Sequence, residues 1–421
     1  MTARRLVKVI AAALVCGIAA SVLVAAPASA DNIRDREYWL ADYGVQKAWA
    51  VTRGAGITVA VIDTGVDGSH PDLTGTVIGG TDVSGVGSAN GQTPIGKDSQ
   101  HGTMVASLLA GHGHGSGDGI LGIAPEAKIL SVSVGFGVGS VGSDDQIAEA
   151  VRWSVDHGAD IINMSLTRNT LDWPTSWDDA FLYAMEKGVI VVAAAGNRGS
   201  GTTEVGAPAT MPGVVVVAGV DQSGTASFDA SSQGITLSVS APSEGLVGAA
   251  PGGGYYSWAG TSGATPLVAG VLALITAAHP GLSAGNVINR LTATARSQGN
   301  PIVYGSGLFD ASAAVSATVP SVATNPADEL KNWIRLNRRA VAPVGPTPTS
   351  AAQSSPAPAP TAIAAPVSPF GRVLPAVDDL RDIGVPILVY AVFATLLILL
   401  LRSIFRDTLR ARESKGSRRR P

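Results

Sequence analysis

The sequence of 421 residues has one cysteine, Cys16, within an apolar stretch near the N-terminus. Beyond that stretch no disulfide framework and no cysteine-ligated metal site can form, and cysteine usage says nothing about compartment. Charge is scarce as well, at 14% of residues. It is also unevenly spread: residues 31–318 hold 25 acidic and 12 basic side chains, a net of −13 that the overall −3 conceals. A region this acidic lacks the basic footprint of a nucleic-acid binder, so no nucleic-acid partner is expected. Histidine occurs six times, which leaves few candidates for acid–base or metal chemistry. The chain is rich instead in hydrophobic residues (46%) and glycine (51 residues), enough for a large core joined by many tight turns.

The apolar residues concentrate at the two ends. Arg4, Arg5 and Lys8 precede an apolar run over 9–26, and Ala28-Ser29-Ala30 follows it. That is the layout of a secretory signal peptide over 1–30, with Asp31 next after the cleavage site. A second run, over 383–401, has no charge between Asp382 and Arg402. About 18–20 such residues span a hydrocarbon core, so a transmembrane helix is expected there. The tail 402–421 carries eight basic and two acidic residues, which places it in the cytoplasm and the bulk of the chain outside the cell membrane. Between them, 319–382 reads as a Pro/Ala-rich linker, with a short helix near 328–340 whose role the sequence does not reveal.

The interior, 31–318, alternates short apolar runs with helical patterns. Strands are expected at 57–63, 127–134, 159–166, 189–195 and 214–220, and helices at 101–111, 144–157, 177–187 and 262–279. Such alternation indicates an α/β domain with a parallel sheet, whose functional groups lie at the carboxyl ends of strands. Asp63 and Asn197 fall at such ends.

Three short segments carry chemistry: Ile-Asp-Thr-Gly at 62–65, His-Gly-Thr at 101–103 and Gly-Thr-Ser-Gly-Ala-Thr-Pro at 260–266. Ser262 opens a helix, where main-chain N–H groups and the helix dipole favour developing negative charge. Pro266 is expected in the first turn of that helix, where a missing N–H costs little. His101 supplies an imidazole that can take a hydroxyl proton and return it to a leaving amine, and Asp63 can orient it. Asn197, after Val-Val-Ala-Ala-Ala-Gly, offers an amide donor for an oxyanion. Alone, Ser262 reads as a helix cap and Asn197 as a turn residue; together the set reads as an acyl-transfer site. His112 and His114 lack the accompanying ligands of a zinc site, and His70 in His-Pro-Asp-Leu reads as structural. Asp118 alone is too little for calcium. No metal and no cofactor is expected.

The order Asp, His, Ser, together with the stretches 61–73, 122–127, 161–166, 192–197 and 260–270, resembles the subtilases, or subtilisin-like serine proteases, over roughly 38–318. The resemblance implies a parallel β-sheet sandwiched by helices and polypeptide substrates bound as an added strand. It implies that Ser165, Leu166 and Thr167 form one wall of the substrate cleft. Ala193, Ala194 and Ala195 would line the pocket for the residue before the scissile bond, and the segment near 131–135 would pair on the other side. The whole layout, with Tyr38-Trp39-Leu40, Ala48-Trp49 and Met104 after His-Gly-Thr, is most similar to the mycosins, membrane-anchored subtilases of actinobacteria associated with type VII secretion. A type VII secretion membrane complex is the partner this implies. Gly263 and Thr167-Arg168 depart from the usual pattern. A cell-surface subtilase with no secretion role, and a mainly structural partner of a membrane complex, are the alternative readings.

The topology is testable. Protease added to intact protoplasts is expected to digest 31–340 and to spare a tag fused after Pro421. A protected 31–340 region would rule this orientation out.

Overall fold

The computed structural model describes residues 33–338, apart from 116 and 140. The expected signal peptide, membrane span (383–401), basic tail and most of the linker lie outside the described residues. Seven strands form one sheet in the order β2–β5–β1–β6–β7–β8–β9, every neighbouring pair parallel. They are β1 (Thr58–Asp63), β2 (Val77–Asp82), β5 (Lys128–Ser133), β6 (Ile161–Met164), β7 (Ile190–Ala194), β8 (Val215–Val220) and β9 (Val239–Pro242). Two antiparallel hairpins stand apart: β3 (His112–His114) with β4 (Asp118–Leu121), and β10 (Leu246–Ala249) with β11 (Tyr255–Trp258).

Six helices of ten or more residues pack on the sheet: α1 (His101–Ala110), α2 (Ser143–Asp156), α3 (Thr175–Glu186), α4 (Thr261–Ala278), α5 (Ala284–Ala293) and α6 (Pro326–Asn337). Strand residues alternate between two cores, as the two-residue period requires. Val59, Val61, Val192 and Val217 join α1, α4 and α5 on one face. Ala60, Ile62, Ala193 and Val216 join α2, α3 and α6 on the other. The chain runs from β1 to the edge strand β2, returns to β5 between the two, then crosses β1 to β6 and runs outward to β9. The order therefore reverses at β1–β6, where an open α/β sheet leaves a crevice at its carboxyl ends.

The expected strands and helices all form, within a few residues of their expected ends. The sequence pattern missed β2 and β9, which close the two edges. β2 contains Gly79-Gly80 and is mostly half-exposed, so no run of apolar residues announces it. α4 is apolar all round and would be long enough to cross a membrane, but 78% of it is buried within the protein as the central core helix.

Two expectations are corrected. α4 starts at Thr261, so Pro266 lies past the first turn, where it leaves the carbonyl of Ser262 without a helical N–H. The compact body also runs past 318. Asn325 caps α6 by accepting from Ala327 N, Pro326 opens it, and Leu330 is wholly buried against the α3 side of the sheet. Residues 319–325, Val-Pro-Ser-Val-Ala-Thr-Asn, look like linker because they carry no helical or strand pattern, yet Asn286 and Asn289 of α5 bond to Val322 and Pro320.

Leu330→Ala is therefore expected to cost about 2–4 kcal/mol of stability, measured by urea unfolding. A change under about 0.5 kcal/mol would mean that α6 is not part of the core.

Candidate active site

Asp63 ends β1 with its side chain 2% exposed. Its Oδ1 accepts from Thr64 N at 2.7 Å, and both carboxylate oxygens receive His101 Nδ1, at 2.8 and 2.9 Å. The Thr64 hydroxyl donates to Ser99 O and accepts from Gly102 N at 3.0 Å, satisfying one of the free donors at the start of α1. Gly102 must be glycine: a Cβ there would meet Gly65 O at 2.3 Å. The two short motifs thus interlock, and this fixes the imidazole with Nδ1 on the carboxylate and Nε2 turned away from it.

The Ser262 hydroxyl donates to the carbonyl of Ser165 at 3.1 Å. In return the Ser165 hydroxyl donates to Ser262 O at 2.8 Å, supplying the bond that Pro266 cannot make. Asn163 Nδ2 donates to the same Ser165 oxygen at 3.0 Å and holds it in place. Among the described residues no hydrogen bond joins Ser262 to His101, although the Trp258 indole stands against both the imidazole and the residue that follows the serine. Such contacts commonly tighten only when substrate is bound.

The amide of Asn197 is oriented by Thr261. Its Oδ1 accepts from Thr261 N at 2.8 Å and from the Thr261 hydroxyl at 2.9 Å. Nδ2 takes no partner among the described residues, and it faces Gly260, where a Cβ would lie 3.0 Å away. Gly260 has φ of +140°, a backbone conformation open to glycine. The N–H of Ser262, in the first turn of α4, also has no helical acceptor. Two donors, one main-chain and one amide, are thereby left free at the positive end of an 18-residue helix.

Burial pulls the pKa of His101 down, and the charge and hydrogen bond of Asp63, aided by Asp98, push it up. The net shift is upward from 6.5. The ring is 26% exposed, so it reaches both solvent and carboxylate. The indole of Trp258 stands edge-on to it, centroids 5.6 Å apart at 84°. Trp258 also explains Gly263. A Cβ at 263 would lie 3.2 Å from Trp258 Cζ2 and 2.2 Å from Leu246 Cδ1, so the β10–β11 hairpin occupies the space of a side chain. Nothing in the sequence marks Trp258, which arrives from a separate hairpin, and the roles of Thr64 and Thr261 are visible only as hydrogen bonds.

The substrate-wall residues fall in distinct places. Ser165, Leu166 and Thr167 follow β6, and among the described residues no hydrogen bond engages the main chain of Leu166 or Thr167. Ala193 and Ala195 are buried in the core on the α2/α3 face, and Ala194 is 2% exposed. The segment 131–135 does not offer an open edge. Residues 131–133 are paired with both β1 and β2, Val134 N donates to Asp63 O, and Gly135 is bonded through both N–H and C=O to Gln146. An added strand on that side would have to pair beyond 135. Arg168, which departs from the usual glycine, is folded away: it pairs with Asp144 and lies over the Trp177 ring.

The other histidines serve structure. His70 Nδ1 accepts from Asp72 N, and His112 Nε2 meets Thr74 O at 2.9 Å. His114 Nδ1 meets the fully buried Asp72 at 2.6 Å. Among the described residues no group of three or more His, Cys, Asp or Glu is placed to hold a metal ion.

With this geometry in place, comparison with known proteins is direct. The subtilase family matches residues 54–307. Subtilisin E of Bacillus subtilis is 41% identical over 264 residues, which are 62% of this chain and 66% of that protein. The match thus spans just under two thirds of that relative's length. Among solved structures, MycP1 from Mycobacterium smegmatis superposes with a TM-score of 0.59 at 30% identity, covering 70% of this chain and 87% of that one. MycP3 protease from the type VII (ESX-3) secretion system gives 0.58 at 30% identity, covering 70% and 90%.

A base that must be neutral fixes the pH dependence. With its pKa raised, His101 keeps its proton to higher pH, so kcat/KM is expected to rise through an apparent pKa above 6.5 and to fall on acidification. Asp63→Asn is expected to move that limb to lower pH and to cut kcat by about 10⁴. The stabilisation given by the pair runs the other way, complete below 6.5 and lost as pH rises through the raised value. An acid limb below 6.5 in the wild-type pH–rate profile would overturn the upward shift of His101.

Proposed function

Because this chain belongs to the subtilase family, we propose that it is a serine endopeptidase whose triad is Asp63, His101 and Ser262. The observation that carries the proposal is the short two-oxygen contact of Asp63 with His101, together with a serine in the first turn of α4 whose hydroxyl and carbonyl are both bonded to Ser165. In the proposed reaction Ser262 Oγ attacks the peptide carbonyl carbon and its proton passes to His101 Nε2. The oxyanion is received by Ser262 N–H and Asn197 Nδ2. The C–N bond then breaks, His101 returns the proton to the leaving amine, and an acyl-serine remains. Water, deprotonated by the same imidazole, releases the acid. The free main chain of Leu166 and Thr167 supports strand-wise binding of the peptide beside Ser165, with Ala193, Ala194 and Ala195 framing the pocket before the scissile bond.

The proposal extends to place. The charged and apolar segments at the two ends support an extracytoplasmic domain anchored by 383–401 with its tail inside the cell. Structural likeness to MycP1 and MycP3, the latter from a type VII secretion system, supports a role beside such a system. The higher identity to subtilisin E favours the second reading, a surface protease with no secretion partner. Deletion of the gene, compared with a Ser262→Ala strain, separates an enzymatic from a scaffolding role.

A fluorophosphonate probe is expected to label the wild-type chain and not Ser262→Ala. Asn197→Ala is expected to retain labelling but to lower kcat on a peptide substrate by about 100- to 1,000-fold. Equal labelling of wild type and Ser262→Ala would remove Ser262 as the nucleophile.

A further inference from the structure

α6 lies wholly outside the span matched by the subtilase family, 54–307. Its contacts converge on one place. The Trp333 ring lies 4.2 Å from that of Trp173. Just past the helix, Arg338 Nε donates to Asp178 Oδ2 at 2.9 Å and Nη2 donates to Trp173 O at 2.8 Å. Its guanidinium lies over both indoles, 5.6 and 5.3 Å from their centres. Asp178 shares its other oxygen with Trp173 Nε1, at 2.7 Å. One carboxylate thus joins the C-terminal helix to Trp173, which is only 6% exposed.

Trp173 ends the loop that runs from β6 to α3. The same loop begins with Ser165, Leu166 and Thr167, the open main chain beside Ser262. It has no secondary structure, so separate ties set its course, among them the main-chain bonds from Arg168 N to Ala207 O and from Ala207 N to Thr170 O. Its near part is held through Arg168, which pairs with Asp144 and lies over Trp177, and its middle through Thr170 and Leu171 against 207–210. Its far end is held by α6. Trp177 and Asp178, neighbours on the first turn of α3, take the two ends separately.

We propose that Trp333 and Arg338 are positioning residues for the substrate wall: by clasping Trp173 they set the height of Leu166 and Thr167 above Ser262. The inference rests on the peptidase reading. Through this clasp, residues 326–338 bear on how tightly a peptide is held, without touching the triad.

The test uses the purified full-length chain, with two peptide amides that carry either one or four residues before the scissile bond. Loss of binding that is equal in ground and transition states raises KM and leaves kcat unchanged. Arg338→Ala and Trp333→Ala are therefore expected to raise KM for the longer peptide by about 3- to 10-fold, with kcat within about twofold. The shorter peptide and the rate of fluorophosphonate labelling are expected to change little. Trp333→Phe, which keeps a stacking ring, is expected to restore most of the affinity. Arg338→Lys, which loses the planar fork, is expected to restore only part. The Arg338 side chain is 28% exposed, so Arg338→Ala keeps the test available where Trp333→Ala does not fold. An unchanged KM for the longer peptide, with or without a lower melting temperature, would reduce the clasp to a purely structural role. So would a parallel fall in kcat and labelling rate. A wild-type chain that neither takes the label nor cleaves either peptide would remove the peptidase reading, and this one with it.

Discussion

An apolar helix buried across a parallel sheet has little freedom in where its ends lie. α4 is in contact with the core from Ala264 to Ile275, and its amino end is bonded to the residues that follow β6 and β7, Ser262 to Ser165 and Thr261 to Asn197. The carboxyl ends of β1 and β6 are also where the order of the sheet reverses and a crevice opens. The free N–H groups of the helix, the carboxylate ending β1 and the turns after β6 and β7 therefore meet in one small volume. Sheet pairing already sets the ends of β1, β6 and β7 side by side; without the burial of α4 its free N–H groups have no reason to join them, Ser262 being 199 positions from Asp63 in the chain.

Local chemistry then sharpens what packing brings together. Pro266 leaves the Ser262 carbonyl without a helical donor, and the Ser165 hydroxyl fills the gap at 2.8 Å. A break in the helix is thus repaired by the residue that begins the proposed substrate wall, which ties the wall to the nucleophile. Thr261 fixes the Asn197 amide in a similar way, consuming its oxygen and leaving its nitrogen to donate. At Gly102 and Gly263 the constraint is space: neighbouring groups stand 2.3 and 2.2 Å from where a Cβ would be. Small residues at this site are small because something else is already there.

Electrostatics act over a short range in this site. The buried Asp63 accepts from Thr64 N and meets the imidazole, and for His101 this carboxylate outweighs the burial that pulls the other way. Of the other acidic residues, Asp98 adds to the upward push on the imidazole. The ion pair of Arg338 with Asp178 differs from most surface pairs because two indoles and a main-chain carbonyl share it.

The sequence by itself determined the α/β class, five of the seven sheet strands and the helices α1 to α4 and α6, and it singled out Asp63, His101, Ser262 and Asn197 as the candidate site. These are legible because each depends on local pattern: an apolar run of strand length, a helical period, or a motif whose neighbours in the chain are also its neighbours in space. Tertiary structure alone decided the edge strands β2 and β9, the extent of the body to 338, and the closure of 131–135 as a binding edge. It also decided the contact of Trp258 with His101, the bond of Ser165 to Ser262 and the clasp of Trp173 by Trp333 and Arg338. Each of these joins residues far apart in the chain, and its energy comes from shape, burial and hydrogen-bond partners that exist only once the sheet and α4 have packed. No periodicity or spacing along the chain records them.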